Sequence, residues 1–167
     1  MSLSALAREA DISKSTVSEL ERGNGNPSLD TLWSLAKTLN IPIGYLFVDS
    51  YVEGDVEVRR LADAPVMSHV EGSFITHLLA GWMGRGETEL SVVTLAAEGR
   101  LVSKGNASGV IERVVCVEGI AEVGIGTRSV VVTPVDVLTF PADQPHSYRG
   151  VHGAARLIVV QQYPPSS

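Results

Sequence analysis

The chain has 167 residues, and its 44% hydrophobic and 19% charged content is that of a globular protein, which excludes disorder along its whole length. The net charge of −6 excludes a basic nucleic-acid coat, and a single cysteine, Cys116, excludes an internal disulfide and a cysteine-built zinc site. The apolar runs are too short to span a bilayer and residues 1–4 lack the features of a signal peptide, so we expect a cytoplasmic protein that uses no membrane.

The residue pattern changes character near residue 50. Residues 2–47 carry apolar side chains at helical spacing, whereas residues 56–163 are dense in Val, Ile and Thr with frequent turn residues. A short acidic stretch typical of a linker separates the two patterns. We therefore predict a two-domain α+β protein with a helical domain over residues 1–48, a linker over 49–56 and an all-β domain over 57–167.

In the first domain, residues that begin and end helices predict a helix, a tight turn and a second helix. Ser2 can cap a helix to about Ala10, and Asp11 suits a turn that needs a left-handed backbone conformation. Ser13 can cap a second helix over residues 14–22, which Gly23 ends. A helix, a short turn and a helix form the geometry of a DNA-reading unit.

The second helix is predicted to have an apolar and a polar face. Val17 and Leu20 are spaced to face the core, which leaves a varied polar surface made of Lys14, Ser15, Ser18, Glu19 and Arg22. Such a surface can enter the major groove and offer hydrogen-bond donors and acceptors to base edges. Judged from this helix alone, a simply hydrated surface is the simpler interpretation.

Further helices complete the predicted domain. Ser28 can cap a third helix to about Leu39, Asn40 can end it, and Pro42 can open a short fourth helix through Phe47. With the segments Leu6-Ala7, Ile12 to Ser18, Leu20 to Gly23 and Asn26 to Leu29, this order of residues resembles the Xre/Cro-type helix-turn-helix family over residues 2–47.

The resemblance implies that the helix from Lys14 is the recognition helix of a DNA-binding protein. Four side chains would by position face bases: Lys14, Ser15, Ser18 and Glu19. Three would approach phosphates: Ser13, Thr16 and Asn24. The family usually has one more helix before the helix that begins near Ser2, so we expect either that this half lacks its first helix or that an upstream segment supplies it.

The charge of this half limits its expected affinity for DNA. Residues 1–48 hold four basic and five acidic side chains, so their net charge is −1. Affinity that does not depend on sequence comes mainly from neutralising phosphates. We therefore predict weak non-specific binding and a dimer that reads two operator half-sites.

The second domain is predicted to form a β-sandwich or small barrel of about eight strands. Six of its segments are clear strand candidates: Leu90–Ala96, Val110–Val117, Ile120–Ile125, Val130–Val132, Val135–Phe140 and Arg156–Gln162. Within them, Glu112 is followed after six residues by Gly119, and Pro141 to His146 follow a later strand. These two segments resemble the motifs of the cupin family, a double-stranded β-helix, over residues 57–163.

The cupin resemblance implies a metal-ligand pattern that this chain does not keep. Metal-binding cupins use two His spaced by one residue, then a Glu, then a His. Here Glu112 and His146 match the last two, whereas Asn106 and Ser108 stand where the His pair is expected. Because such sites need three or four protein ligands, we predict no metal and no cofactor. The substitute ligands that remain open are His77, His152 and Tyr148.

The retained residues predict a pocket between the strands. If Glu112 points inward, strand alternation places Val110, Val114 and Cys116 inward too, and an inward His146 brings Tyr148 with it. An apolar cavity with a few convergent polar groups is typical of a small-molecule site. The alternative is that Glu112 and His146 are relics that satisfy each other by hydrogen bonding.

The opposite face of the strand that contains Glu112 is also apolar and must be buried against something. Ile111, Val115 and Val117 must pack on another sheet or on a second copy of the chain, and the resemblance implies a homodimer through this domain. Arg113 and Arg149 point outward and can pair with surface carboxylates.

Together the two halves predict a transcription regulator, not an enzyme, that binds operator DNA and senses a small-molecule effector. A metal-dependent isomerase or dioxygenase with a vestigial helical half is the alternative. A third hypothesis is an interaction module whose shortened helical half docks on another protein.

Overall fold

The computed structural model describes residues 1–39, 41, 43–46, 56, 58–82 and 87–165. The chain divides into two compact units, Met1–Asp49 and Ser50–Ser167, which we call the helical unit and the β unit. Apart from Val56, the predicted linker over residues 49–56 lies outside the described residues.

The helical unit contains three α-helices, α1 (Leu3–Glu9), α2 (Lys14–Glu21) and α3 (Leu29–Leu39), and a 3₁₀ turn over Ile43–Leu46. The 3₁₀ turn lies where the sequence predicts a fourth helix, while Asn40, Pro42 and Phe47 lie outside the described residues. None of the helices in the described part of the chain has both the length and the hydropathy needed to cross a membrane.

Serine caps begin all three helices, as the sequence predicts. The hydroxyl of Ser2 accepts from the backbone N–H of Ala5 at 3.2 Å, and the hydroxyl of Ser13 accepts from that of Thr16 at 3.0 Å. The hydroxyl of Ser28 accepts from the backbone N–H of Thr31 at 3.2 Å. Each cap satisfies a donor that the first helical turn leaves without an intrahelical partner.

The turn between α1 and α2 packs the two helices on one small core. Asp11 has φ 55° and Gly23 has φ 72°, which confirms the predicted left-handed positions at the ends of both helices. The core is formed by Leu6, Ala7, Ala10, Val17 and Leu35, with Ile12 and Leu20 packed against it.

The β unit contains ten strands in the described residues, after a 3₁₀ turn over Leu61–Asp63. They are β1 (Val66–Val70), β2 (Phe74–Trp82), β3 (Thr88–Leu95), β4 (Arg100–Ser103), β5 (Ile111–Glu118), β6 (Ala121–Ile125), β7 (Arg128–Val132), β8 (Val137–Pro141), β9 (His146–Gly150) and β10 (Ala155–Gln162). A six-stranded sheet has the order β1-β2-β3-β10-β5-β8, and a four-stranded sheet has the order β4-β9-β6-β7. All the strand pairs in both sheets are antiparallel.

The core of the β unit draws its side chains from both sheets. Val114, Cys116 and Leu157 of the larger sheet pack in one buried cluster with Val123 and Tyr148 of the smaller sheet. Burying apolar side chains of this kind contributes roughly 1.5–3 kcal/mol each. The alternation predicted for β5 is confirmed, because Val110, Val114 and Cys116 are fully buried with Glu112.

The predicted strand Val135–Phe140 is wrong at its beginning, because the strand begins at Val137. Thr133 to Asp136 form a turn in which the backbone N–H of Asp136 donates to the carbonyl of Thr133 at 3.0 Å. The Asp136 carboxylate also accepts from the N–H and the hydroxyl of Thr133, both at 2.8 Å. These bonds hold Val135 at φ 71°, a conformation that a β-branched residue rarely adopts.

Candidate functional site

The polar face of α2 is open to solvent in the helical unit. Ser13, Lys14, Ser15 and Glu19 are exposed, and Thr16 and Ser18 are half-buried. Val17 is only 2% exposed, so the helix buries one stripe and presents the other. A helix with this division can lie in a groove without disturbing its own core.

Hydroxyl groups are linked to one another at the start of α2. The Ser13 hydroxyl lies 2.8 Å from the hydroxyl of Ser15 and 2.8 Å from that of Thr16. Sequence position assigns Ser13 and Thr16 to phosphates and Ser15 to bases, whereas the structure brings all three hydroxyls into one hydrogen-bonded group. A shared network of this kind orients each O–H before a partner arrives.

Asn24 lies at the opposite end of α2 and is exposed. Its backbone N–H donates to the carbonyl of Glu19 at 3.0 Å, beside the bond from the N–H of Gly23 to the carbonyl of Leu20 at 2.9 Å. These two bonds terminate the helix and fix the position of Asn24 relative to Glu19. The predicted contact residues therefore occupy both ends and the exposed side of α2.

Glu112 is the centre of a buried polar cluster in the β unit. Its Oε1 accepts from the side-chain amides of Asn106 at 2.8 Å and Gln161 at 2.7 Å, and its Oε2 accepts from the hydroxyl of Tyr148. The Nε2 of His146 lies 3.5 Å from Oε1. We call Asn106, Glu112, His146, Tyr148 and Gln161 the Glu112 cluster.

Three strands and a loop build the Glu112 cluster. Glu112 of β5 stands directly opposite Gln161 of β10, and β9 of the other sheet supplies His146 and Tyr148. Asn106 lies in the loop between β4 and β5, where its backbone N–H donates to the carbonyl of Ala142 at 2.8 Å. Glu112, His146 and Tyr148 were predicted to share an interior, and the structure brings them together.

Gln161, which is half-buried, and Glu89, which is buried, are inward polar residues that the sequence analysis misses. In β10, Gln161 takes the inward place after Leu157 and Val159, and it pairs in register with both Glu112 and Glu89. Glu89 is 1% exposed and accepts from the hydroxyl of Tyr163 at 2.9 Å. A polar residue at an inward place of an apolar strand is the signal that would have found both residues.

The charges in the Glu112 cluster support an ion pair. Burial alone would raise the pKa of Glu112, but the hydrogen bond and charge of His146, with the bonds from Tyr148 and Gln161, hold it below its ordinary value. Burial would lower the pKa of His146, but Glu112 and the carbonyl of Gln144 hold it above its ordinary value. Burial, followed by the charge of Glu112, raises the pKa of Tyr148 well above its usual range.

The His146 ring is oriented by its second nitrogen. Its Nδ1 lies 2.9 Å from the carbonyl of Gln144, which can only accept, so Nδ1 carries the proton. The Nε2 nitrogen is thereby left to face Glu112. A neutral imidazole would present a lone pair to a carboxylate there, which explains why the protonated ring is favoured.

Val114 and Cys116, the other predicted pocket residues, belong to the apolar core. The Cys116 thiol donates to the carbonyl of Gly119 at 3.5 Å, and burial raises its pKa. A raised pKa lowers the thiolate fraction, so this cysteine is a packed side chain and not an activated nucleophile.

The residues present do not fit a metal ion at the Glu112 cluster. Among the residues that the structure describes, no three His, Cys, Asp or Glu side chains are grouped to hold one. Ser108 and His152 are exposed, and His77 lies in β2, outside the cluster. Tyr148 donates its proton to Glu112, so none of the predicted substitutes acts as a third ligand.

Arg149 and Arg113 differ in their partners. Arg149 pairs with Glu98 and Glu122, both at 2.6 Å, as expected for an outward arginine beside carboxylates. The guanidinium of Arg113 instead donates to the side-chain oxygen of Gln162 at 2.9 Å. These contacts lie on the surface and leave the interior to the Glu112 cluster.

Comparison with known proteins assigns both halves. Residues 1–46 match the family model HTH_3, described as a helix-turn-helix. The HTH-type transcriptional regulator SutR of Escherichia coli (strain K12) is 24% identical over 148 residues, which cover 89% of this chain and 78% of SutR. A crystal structure of an HTH_3 family transcriptional regulator from Vibrio cholerae has a TM-score of 0.64 and 24% identity, and covers 98% of this chain and 88% of that one.

The β unit has its own structural relative. The Cupin_2 domain of an XRE family transcriptional regulator from Enterobacter cloacae matches with a TM-score of 0.52 and 25% identity, covering 55% of this chain and 98% of that domain. Residues 1–46 form a helix-turn-helix domain of the HTH_3 type, and the β unit has the fold of a cupin domain.

The helix-turn-helix cupin chain also shares its fold with an enzyme. Hydroxypropylphosphonic acid epoxidase from S. wedmorenis matches with a TM-score of 0.52 and 20% identity, covering 96% of this chain and 88% of the enzyme. A likeness at this identity shows the fold alone and does not carry over the enzyme's chemistry.

Proposed function

We propose that this protein is a DNA-binding transcription regulator that reads operator DNA with α2 and senses a small effector with its cupin domain. The observation that carries the proposal is the exposed, polar face of α2 on a helix-turn-helix unit. SutR and the Vibrio cholerae protein are both transcriptional regulators, which supports the same conclusion. Such a protein acts on DNA in the cytoplasm and catalyses no reaction.

The proposed DNA contacts follow from exposure and chemistry. Lys14, Ser15, Ser18 and Glu19 offer a cation, two hydroxyls and a carboxylate, which can read several different base edges. Ser13, Thr16 and Asn24 approach phosphates, where hydroxyl and amide groups fix the register of a helix on the duplex. The positive end of the α2 dipole favours a phosphate near Ser13.

Homodimerisation through the cupin domain supplies the second helical unit that reads the second half-site. Val115 of β5 pairs with Val137 of β8 on the outer face of the larger sheet, where Val117 is 47% exposed and Val137 is 62% exposed. Ile111 extends this apolar strip along β5. Burial of the strip against the same strip of a second chain joins two weakly charged DNA-reading units into one dimer.

The proposed effector site is the interior around Glu112, His146 and Tyr148, with Val114 and Cys116 in the adjoining apolar wall. Buried polar groups against an apolar wall give a small molecule both orientation and affinity. An effector alters DNA binding only if it binds one arrangement of the dimer more tightly than the other. The coupling is therefore measurable as a change in operator affinity.

DNA binding is tested with two lysine variants. Lys14→Ala removes a cation from α2, whereas Lys37→Ala removes the same charge from the exposed side of α3. DNA sites are first enriched from random sequences by binding to the wild-type protein. The affinity of each variant for these sites is then measured by fluorescence anisotropy at low salt. We expect Lys14→Ala to weaken binding about tenfold, the cost of one lost base contact, and Lys37→Ala to change it much less. Equal losses in both variants, or no preference of the wild type for any site, would contradict the proposal.

The dimer is tested at its apolar strip. Val117→Glu places a charge on the proposed contact surface, and Val130→Glu is the matched control on the four-stranded sheet, where Val130 is 38% exposed. Size-exclusion chromatography with light scattering gives the molecular mass of each variant. We expect a monomer for Val117→Glu and a dimer for the control. A wild-type monomer at micromolar concentration would contradict dimerisation through this face.

A further inference from the structure

Glu112 occupies the place of a metal-binding glutamate, but its immediate neighbours are hydrogen-bond donors. Asn106 stands at one of the two positions where the cupin resemblance expects histidine, and its amide nitrogen, not a ligand atom, lies 2.8 Å from Oε1 of Glu112. The second position, Ser108, is exposed and contributes nothing to the cluster. The loop between β4 and β5 therefore places a hydrogen-bond donor, the Asn106 amide, where a metal site would need a ligand.

The acceptor capacity of the Glu112 carboxylate is used by the protein itself. A carboxylate offers about four lone-pair positions. Oε1 receives the N–H groups of Asn106 and Gln161 and faces Nε2 of His146, and Oε2 receives the hydroxyl of Tyr148. At 1% exposure, Glu112 has almost no contact with solvent, so these donors supply its solvation.

His146 turns its free ring nitrogen toward the Glu112 carboxylate. Metal binding requires a free lone pair on the ring nitrogen. The carbonyl of Gln144 holds the proton on Nδ1, so only Nε2 remains, and it points to a carboxylate that attracts a second proton. A divalent cation would have to displace that proton, turn both amides and break the bond from Tyr148.

We infer that this cupin domain neutralises Glu112 with its own amide, phenol and imidazole donors in place of a divalent cation, so that its interior is metal-independent. The domain folds and keeps its interior site in the presence of chelators. The inference concerns the Glu112 cluster alone and does not depend on operator recognition. Failure of the DNA experiments leaves it intact, and its own failure leaves them intact.

The full-length protein tests the inference directly. It is expressed with added iron, manganese and zinc, and its metal content is measured by mass spectrometry after purification without a metal column. Isothermal titration calorimetry then measures the binding of five ions to the purified protein: Fe²⁺ under argon, and Mn²⁺, Zn²⁺, Ca²⁺ and Mg²⁺. We expect substoichiometric metal, no saturable binding of any of these ions, and the same melting temperature with and without EDTA.

A gain-of-ligand variant makes the test sharper. Asn106→His adds a third ligand to Glu112 and His146, which is the ligand number of open metal sites. Ser108→His adds the same residue two positions away on an exposed site and is the matched control. We expect Zn²⁺ or Mn²⁺ to bind stoichiometrically to the first variant alone and to raise its melting temperature, and we expect Glu112→Gln in that background to remove this binding.

Two results would overturn the inference. One is a wild-type protein that carries a stoichiometric metal, loses melting temperature in EDTA and fails to hold the metal as Glu112→Gln. The other is saturable, stoichiometric binding of any of the five titrated ions by the wild type. Binding of Ca²⁺ or Mg²⁺ would mean that the amide oxygens of Asn106 and Gln161 had turned toward a hard cation. The wild-type measurements decide the question even if Asn106→His does not fold.

Discussion

The helical unit exposes the polar side chains proposed to contact DNA, whereas the cupin domain buries the central polar residues of the Glu112 cluster. Lys14 and Glu19 are exposed on α2, but Glu112 is 1% exposed and His146 is 4% exposed. An exposed polar group is solvated until a partner arrives, whereas a buried one must be paired when the chain folds. Substitutions on α2 should therefore change DNA binding, and substitutions in the Glu112 cluster should change stability first.

The two regions also differ in the range of their decisive contacts. Each helix cap joins residues three positions apart, such as Ser13 and Thr16. Glu112 instead meets Tyr148 and Gln161 across separations of 36 and 49 residues. The helical unit can form its turns locally, but the Glu112 cluster exists only when both sheets are assembled.

The largest effect is expected for Glu112→Ala. The substitution leaves the donors of Asn106, Tyr148 and Gln161 without their acceptor, and breaking a buried pair of this kind costs about 3–5 kcal/mol. Urea unfolding followed by fluorescence gives the free energy of unfolding. Glu19→Ala, the same replacement on α2, should leave it nearly unchanged. A small loss in Glu112→Ala would mean that the cluster does not stabilise the domain.

Two glycine substitutions compare the regions directly. Gly119 has φ 75°, and a Cβ there would lie 2.1 Å from the carbonyl oxygen of Ala154, so Gly119→Ala combines backbone strain with a clash. We expect a loss of about 3 kcal/mol in the unfolding free energy. Gly23 has φ 72° with nothing near its missing Cβ, so Gly23→Ala should cost about 1 kcal/mol. Thermal unfolding measures both, and equal losses would rule out close packing as the reason for Gly119.

The pH dependence of stability follows from the Glu112–His146 pair. The pKa of Glu112 is held below 4.5, so its contribution is complete above pH 4.5 and is lost as the pH falls through the lowered value. The pKa of His146 is held above 6.5, so its contribution is complete below pH 6.5 and is lost as the pH rises through the raised value. The pair therefore stabilises the domain most between about pH 4.5 and 6.5.

The alkaline side of this profile is the one to measure. We expect the unfolding free energy of the wild type to fall as the pH rises above 6.5, because the folded protein then loses the proton that Glu112 holds on His146. His146→Asn cannot titrate there and should show a flatter profile. A wild-type profile as flat as that of the variant would show that no ion pair forms.

The smallest expected effect is a gain in the stability of the cupin domain. Val135 is 89% exposed and held at φ 71° by the Thr133–Asp136 turn, so Val135→Gly relieves strain without opening a cavity. We expect the cupin domain to become more stable by about 1 kcal/mol in thermal unfolding. Val137→Gly, in the regular strand that follows, should instead lose stability. Destabilisation by both substitutions would mean that the Val135 side chain makes a contact of its own.

The sequence predicted the local features of both regions and several shared interior positions. Ser2, Ser13, Asp11 and Gly23 mark helix ends because their effects operate over three or four residues. Alternation along β5 predicted the inward row that contains Glu112 for the same reason. The strand prediction was wrong at Val135, because its β propensity was overridden by the hydrogen bonds that Thr133 donates to the Asp136 carboxylate.

The residue order by itself determined the helix-turn-helix, its exposed α2 face and the loss of the histidine pair at residues 106 and 108. Only the tertiary structure decided what took the place of those histidines. Asn106 reaches Glu112 from the loop between β4 and β5 and Gln161 reaches it from β10, through a loop position and a strand register that no local pattern encodes. Local propensities act over a few residues, whereas the pairing of a buried charge is settled by whichever distant side chains the assembled sheets bring beside it.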